Sequence, residues 1–194
     1  FAFRSKFWNI GAEGQLMAGA ITAAAIGIYT PAEVPAVVLL PVILFLGFLA
    51  GGAWAFLPAF LKMRMKIDDV VTTLILNYVM LHFMGFLLFG PMQQPRSAAI
   101  VDNAHLPILL VRSRFHLGIL IALTMVFIIW FINEKTVLGY QTKAVGVNPT
   151  ASFFGGINNT KVIFLTALIS GGLAGLAGVS EVSAVRKITL VLLI

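Results

Sequence analysis

Three polar clusters interrupt an otherwise apolar sequence, and each could carry a different chemistry. The first is Asn9-Ile10-Gly11-Ala12-Glu13-Gly14-Gln15, at the threshold of the first apolar block. Gly11 and Gly14 permit a turn or an opened helix start, and a broken helix offers backbone groups to polar solutes. Asn9, Glu13 and Gln15 could then face a translocation path, because polar and charged groups at membrane depth turn toward protein or water. They could equally form an interfacial start in which Glu13 caps the helix or meets headgroups. The second cluster is Asn77, midway along a later apolar block, with His82 about a turn further on. Asn77 could bind solute or bond a neighbouring helix. His82 could relay protons only with an acidic partner; its own helix offers none nearby, and Glu13 is the one candidate elsewhere. The third is Asn148-Pro149-Thr150-Ala151-Ser152-Phe153-Phe154-Gly155-Gly156-Ile157. Asn148 can cap a short helix, Pro149 suits its first position, and Gly155 and Gly156 can stop it. Such a helix would present Phe153 and Phe154 to a partner protein or to the membrane surface.

None of these clusters suits covalent catalysis. HExxH, GxSxG and Gly-Lys-Ser/Thr phosphate-loop motifs are absent, and no carboxylates are paired for acid–base work. Asp68 and Asp69 are adjacent, so on a helix they point apart; they suit a helix cap. Without cysteine there are no disulfides, thiolate zinc sites or cysteine nucleophiles. No catalytic residue, metal site or cofactor is expected in this chain.

The elements that must position these residues are membrane helices. Of 194 residues, 60% are hydrophobic and 10% charged, and the mean hydropathy is +1.01. Soluble domains carry about 25% charged residues, so this chain could not cover a water-facing surface. A crossing needs about 20 apolar residues. Candidates lie at 12–30, 34–61, 70–89, 115–132 and 162–179, with a partial one from 188. Pro41 and Pro58 could kink the second or mark its ends. Gly47, Gly51 and Gly52 there, and Gly171, Gly172, Gly175 and Gly178 in the fifth, offer close contact surfaces. Lys62, Arg64 and Lys66 read as a basic loop. The patch 106–111 is too short to cross and could be re-entrant or lie on the membrane surface. The net charge of +6 is spread between apolar blocks, as for loops near anionic lipid, without the aromatic-basic interleaving of a nucleic-acid platform. A cytoplasmic N-terminus places eight basic residues inside (Arg4, Lys6, Lys62, Arg64, Lys66, Lys135, Lys143, Lys161) against five outside. The start at Phe1 and the apolar end read as cuts within a longer protein.

Four stretches together resemble a bacterial ABC importer permease of the family that holds simple-sugar, nucleoside and branched-chain amino acid permeases. WNIGAEGQLMAGA (8–20) is similar to FNIGxEGQ, typical of the sugar and nucleoside branch. MKIDDVVTTLILNYV (65–79) resembles a form reading roughly VNEVISTLMLNYI. KAVGVNPTASFFGGI (143–157) resembles RAVGxNPxAAxxxGI, and ISGGLAGLAGVSEV (169–182) resembles LSGxLAGLAGxxEV. The resemblance covers nearly the whole chain. It departs where Ala151-Ser152 replaces a paired alanine and near Gln141 and Lys143, where the family has a basic residue.

The resemblance implies an all-α polytopic bundle of about five spanning helices and a partial one, 1–194 being one partial permease domain. It implies a cytoplasmic loop, 133–161, holding a coupling helix with Gly146, Asn148, Pro149, Ala151, Phe153, Phe154 and Gly156. It also implies a solute path lined by Asn9, Glu13, Gln15 and Asn77. The partners it implies are ABC ATPase subunits carrying ATP and Mg, a second permease chain, homologous or identical, an extracytoplasmic solute-binding protein and membrane lipid, but no nucleic acid. The place is the bacterial inner membrane, and the solute a simple sugar or nucleoside. An ion-coupled secondary transporter using Glu13 and His82 is an alternative, as is a nonfunctional truncated membrane fragment.

Overall fold

The computed structural model describes residues 1–31, 33–90, 102–107 and 116–185. A 3-10 turn, Ala2–Ser5, precedes α1 (Ala12–Tyr29), α2 (Ala36–Met65) and α3 (Asp69–Phe89). A second 3-10 turn, Asp102–Ala104, leads toward α4 (Gly118–Lys135), α5 (Val137–Val147), α6 (Pro149–Phe154) and α7 (Asn159–Val185). Among the described residues four helices, α2, α3, α4 and α7, are long and apolar enough to cross a membrane. The expected first crossing, α1, forms but falls outside that group, because Glu13, Gln15 and its many Ala and Gly lower its hydropathy. The partial helix from 188 lies outside the described residues.

Helices α1, α2 and α7 make the centre, and glycine brings them together. Gly51 of α2 lies against the backbone of Gly171 and Gly175 on α7, and Gly175 against the carbonyl of Gly47. Gly19 of α1 faces Gly175, and Gly178 faces the Leu16 carbonyl. A Cβ at Gly19, Gly51, Gly171, Gly175 or Gly178 would strike backbone, so three helices approach along small-residue seams, where dispersion can act without a water-driven term. Helix α3 joins through one stripe: Asp69, Thr73, Asn77, Met80, Met84 and Leu88 are its buried residues. The spacing of four, four, three, four and four is one face of an α-helix. Helix α4 is peripheral, with 6% of its apolar window buried against 56% for α7.

Several boundaries differ from the expectation. Helix α2 runs unbroken through Pro41 and Pro58 to Met65, so Lys62 and Arg64 form its last turn rather than a loop. Cations are favourable there, facing the negative end of the helix dipole. Helix α7 continues past Glu181, which is exposed. Helix α4 reaches Lys135 rather than ending at Ile132, and α5 follows at once, where the sequence reads as polar connection. Thr136 makes that bend: its hydroxyl donates to the Ile132 carbonyl and accepts from the Gly139 amide. Of the patch 106–111, Leu106 is buried and its amide donates to the Ser183 carbonyl at 3.1 Å, while 108–111 lie outside the described residues.

Candidate functional site

The segment Trp8–Gln15 enters the bundle without regular structure until Ala12, so its backbone amides need acceptors that lipid cannot supply. The polar half of the α3 stripe supplies three. Asp69 Oδ2 accepts from the Trp8 amide at 2.6 Å, Thr73 Oγ1 from the Ile10 amide at 3.3 Å, and Asn77 Oδ1 from the Gly14 amide at 2.9 Å. These α3 residues stand four apart, one above another on a single face. Gly14 carries one of the open amides of the α1 start, so Asn77 caps α1 from a neighbouring helix. The Asn77 amide returns a bond to the Ile10 carbonyl at 3.3 Å.

Asn9 and Gln15 close the other side. Gln15 Nε2 donates to Asn9 Oδ1 at 2.7 Å and Asn9 Nδ2 to Gln15 Oε1 at 2.9 Å, a reciprocal amide pair. Asn9 also accepts from the Gly11 amide and donates to Ser170 Oγ of α7 at 3.1 Å. Gln15 is 1% exposed. Asn9, Gln15 and Asn77 are thus assembled into one buried clamp joining α1, α3 and α7, with their polar groups engaged by protein. Glu13 stands apart, exposed, with Ile10 and Trp8 exposed beside the clamp. His82 is exposed as well, its Nδ1 bonded to the Tyr78 carbonyl of its own helix at 2.8 Å. Next to the clamp the indole Nε1 of Trp54 is buried and has no hydrogen-bond partner among the described residues.

Asp69 has a second task. Its Oδ2 also receives Lys62 Nζ at 2.7 Å, and that ammonium donates to the Lys6 carbonyl and lies 5.6 Å from the centre of the Phe7 ring. Asp69 is 5% exposed, so the pair is sheltered. Asp68, its neighbour, caps α3 by accepting from the Val71 amide. The two adjacent carboxylates do point apart. The pairing of Asp69 with Lys62 was not readable, because α2 and α3 had to be placed side by side first.

The third cluster folds as a separate short helix. Asn148 Oδ1 accepts from the Thr150 and Ala151 amides, both at 3.0 Å, and Pro149 occupies the first turn of α6. Gly155 ends the helix and Gly156 follows with φ +80°, a left-handed conformation that glycine adopts without strain. Ser152, which the sequence did not single out, is the buried anchor: its hydroxyl donates to the Pro149 carbonyl or to Asn159 Oδ1 of α7, at 2.9 and 2.8 Å. Asn159 in turn donates to the Pro149 carbonyl at 2.7 Å. Phe153 and Phe154 project outward, 67% and 83% exposed, with rings edge to face. Gly146 sits in α5, where the Arg4 carbonyl lies against the helix backbone. Ala151 is exposed on α6, next to a cleft of about 380 Å³ between α5 and α6 that Tyr140 and Ile157 also line.

The family model described as "Branched-chain amino acid transport system / permease component" matches residues 1–192. The chain belongs to this family. It is 38% identical over 182 residues to a guanosine ABC transporter permease of Bacillus subtilis, covering 90% of this chain and 52% of that protein. It is 31% identical to a nucleoside ABC transporter permease of Lactococcus lactis, covering 90% and 51% of the two chains. It is 32% identical to a glucose ABC transporter permease of Haloferax volcanii, covering 88% and 48%. This family member spans about half the length of these curated relatives. No solved structure matches it. Family and apolar helices together make the chain a multi-pass inner-membrane protein.

Proposed function

We propose that the chain is permease sequence of an ABC importer, moving a nucleoside or a simple sugar across the bacterial inner membrane with separate ATPase subunits. The observation that carries the reading is α6: a capped, side-chain-anchored helix that turns two adjacent phenylalanines outward at the basic end of the bundle. Family membership makes a docking role on an ATPase the natural use of such a surface. In this reading α1 is a fifth crossing. At about 1.5 Å per residue its 18 residues extend roughly 27 Å, close to the hydrocarbon thickness. Residues 133–161 are cytoplasmic, and Gly146, Asn148, Pro149, Ala151, Phe153, Phe154 and Gly156 form or support the docking loop. ATP and Mg belong to the partner.

Asn9, Glu13, Gln15 and Asn77 belong to the solute path. In this reading Glu13, which is exposed beside the clamp, faces that path, and separation of α1 from α3 brings Asn77 and the Gly14 amide into it. Alternating access then exchanges protein–protein hydrogen bonds for protein–solute ones, and the permease performs no covalent step. A second permease chain and an extracytoplasmic solute-binding protein complete the importer. The nucleoside and glucose transporters among the relatives favour these solutes.

The test is reconstitution of the permease with its ATPase in proteoliposomes. Phe153→Ala with Phe154→Ala is expected to lower ATPase association at least tenfold while the permease still inserts. Undiminished association would overturn the docking assignment. Uptake of radiolabelled guanosine and glucose in the same vesicles reads out the solute class.

A further inference from the structure

We infer that residues 2–9 are a rigid strap that carries displacement of the α5–α6 hairpin to the polar clamp at the start of α1. The inference rests on the docking role proposed for α6 and adds the transmitting element.

At its outer end the strap is held by α4 and α5. The Arg4 guanidinium donates to Glu134 Oε1 at 2.8 Å and to the Asn133 carbonyl at 3.3 Å, and the Arg4 carbonyl lies on the backbone of α5 at Gly146. No side chain intervenes at that contact, so α5 cannot advance without displacing Arg4. In the middle, Ser5 Oγ shares a bond with Thr166 Oγ1 of α7 at 3.2 Å. Phe7 is fully buried in one cluster with Ala59 of α2, Val145 of α5 and Ile163 of α7. At the inner end the Trp8 amide is fixed to Asp69, and Asn9 is bonded to Gln15 and Ser170. Arg4, Ser5, Phe7, Trp8 and Asn9 are thus each tied to one helix or more, and Asn9, the last residue of the strap, is itself part of the clamp. A segment bonded at both ends and packed in its middle moves as a unit. The competing route runs from α6 directly into α7 through Ser152 and Asn159.

The absence of native cysteine allows a direct test. Ile10 is 43% exposed and bonds α3 only through its backbone, so Ile10→Cys leaves those bonds in place. Maleimide labelling of Ile10→Cys is measured in the reconstituted importer, without nucleotide and with a non-hydrolysable ATP analogue on the ATPase. The expected result is a change in labelling rate of threefold or more, which Gly146→Ala abolishes by forcing Arg4 off α5. Arg4→Ala, which replaces an exposed side chain, is the second variant and is expected to halve the change at least. ATPase co-purification is scored for both. Absence of a labelling change in the parent overturns the strap; a change undiminished in both variants also overturns it and assigns the signal to α7. Loss of the docking role shows separately, as unchanged ATPase association in the Phe153→Ala, Phe154→Ala double variant.

Discussion

Asn9 and Gln15 exchange two hydrogen bonds in a buried setting. Buried amides left without partners cost about 1–3 kcal/mol each. Asn9→Ala and Gln15→Ala should therefore each destabilise the protein by about that much in detergent. The double variant should cost less than the two together, with a coupling of about 1 kcal/mol in a double-mutant cycle. Asp69 carries more. Asp69→Ala leaves Lys62 without its carboxylate and the Trp8 amide without its acceptor; the expected loss is about 3 kcal/mol or more, read from thermal unfolding. Trp54 is the opposite case. Its buried Nε1 finds no bond among the described residues, so Trp54→Phe should leave stability unchanged or raise it. At this scale the sequence showed which polar residues sat at membrane depth. It did not show their partners. Asn9, Gln15 and Asn77 were legible as costly, but Ser170, Thr73 and Lys62 become partners only once α3, α7 and α2 are aligned.

Among the elements, glycine decides which helices meet. Gly51 faces the α7 backbone, and Gly51→Ala must push α2 away from Gly171 and Gly175; about 2 kcal/mol of lost stability is expected, as for overpacking elsewhere. Gly85 of α3 has open space around its Cβ position. Gly85→Ala should stabilise α3 by about 0.5 kcal/mol, since it removes only backbone freedom. The same melting assay separates the two, and equal effects would refute the assignment of the seams. Apolar blocks and their glycines were readable in the sequence, as were the α6 cap and stop. The helix α5 was not, because Thr142, Lys143 and Gln141 make its stretch look like polar connection. Thr136 caps it locally, but the contact of Gly146 with the Arg4 carbonyl joins residues distant in sequence.

For the whole molecule, charge and exposure follow the ends and the sides. The strap, the end of α2, α5 and α6 gather at one end, whereas Glu33, in the turn between α1 and α2, lies at the other. Single cysteines in place of Lys66 and Lys143 should therefore be labelled by an impermeant maleimide from one face of sealed vesicles, and one in place of Glu33 from the opposite face. Labelling of all three from one side would contradict the topology. On the flanks, α4 offers apolar residues all round, with Gly118 its one buried position. An all-round apolar helix suits lipid or helix neighbours rather than water.

From its sequence alone this chain was an all-α membrane protein with polar residues at defined depths, a capped aromatic turn and the motifs of its permease family. Those properties are local: hydropathy, capping and glycine spacing need no knowledge of distant residues. Tertiary structure decided that Asn9, Gln15 and Asn77 form one clamp, that Asp69 joins Lys62 to the Trp8 amide, and that Gly146 meets the Arg4 carbonyl. The physical reason is that a polar group buried away from water takes whichever partner the packing brings within about 3 Å. That packing is set by the seams between α1, α2 and α7, across more than a hundred residues of sequence.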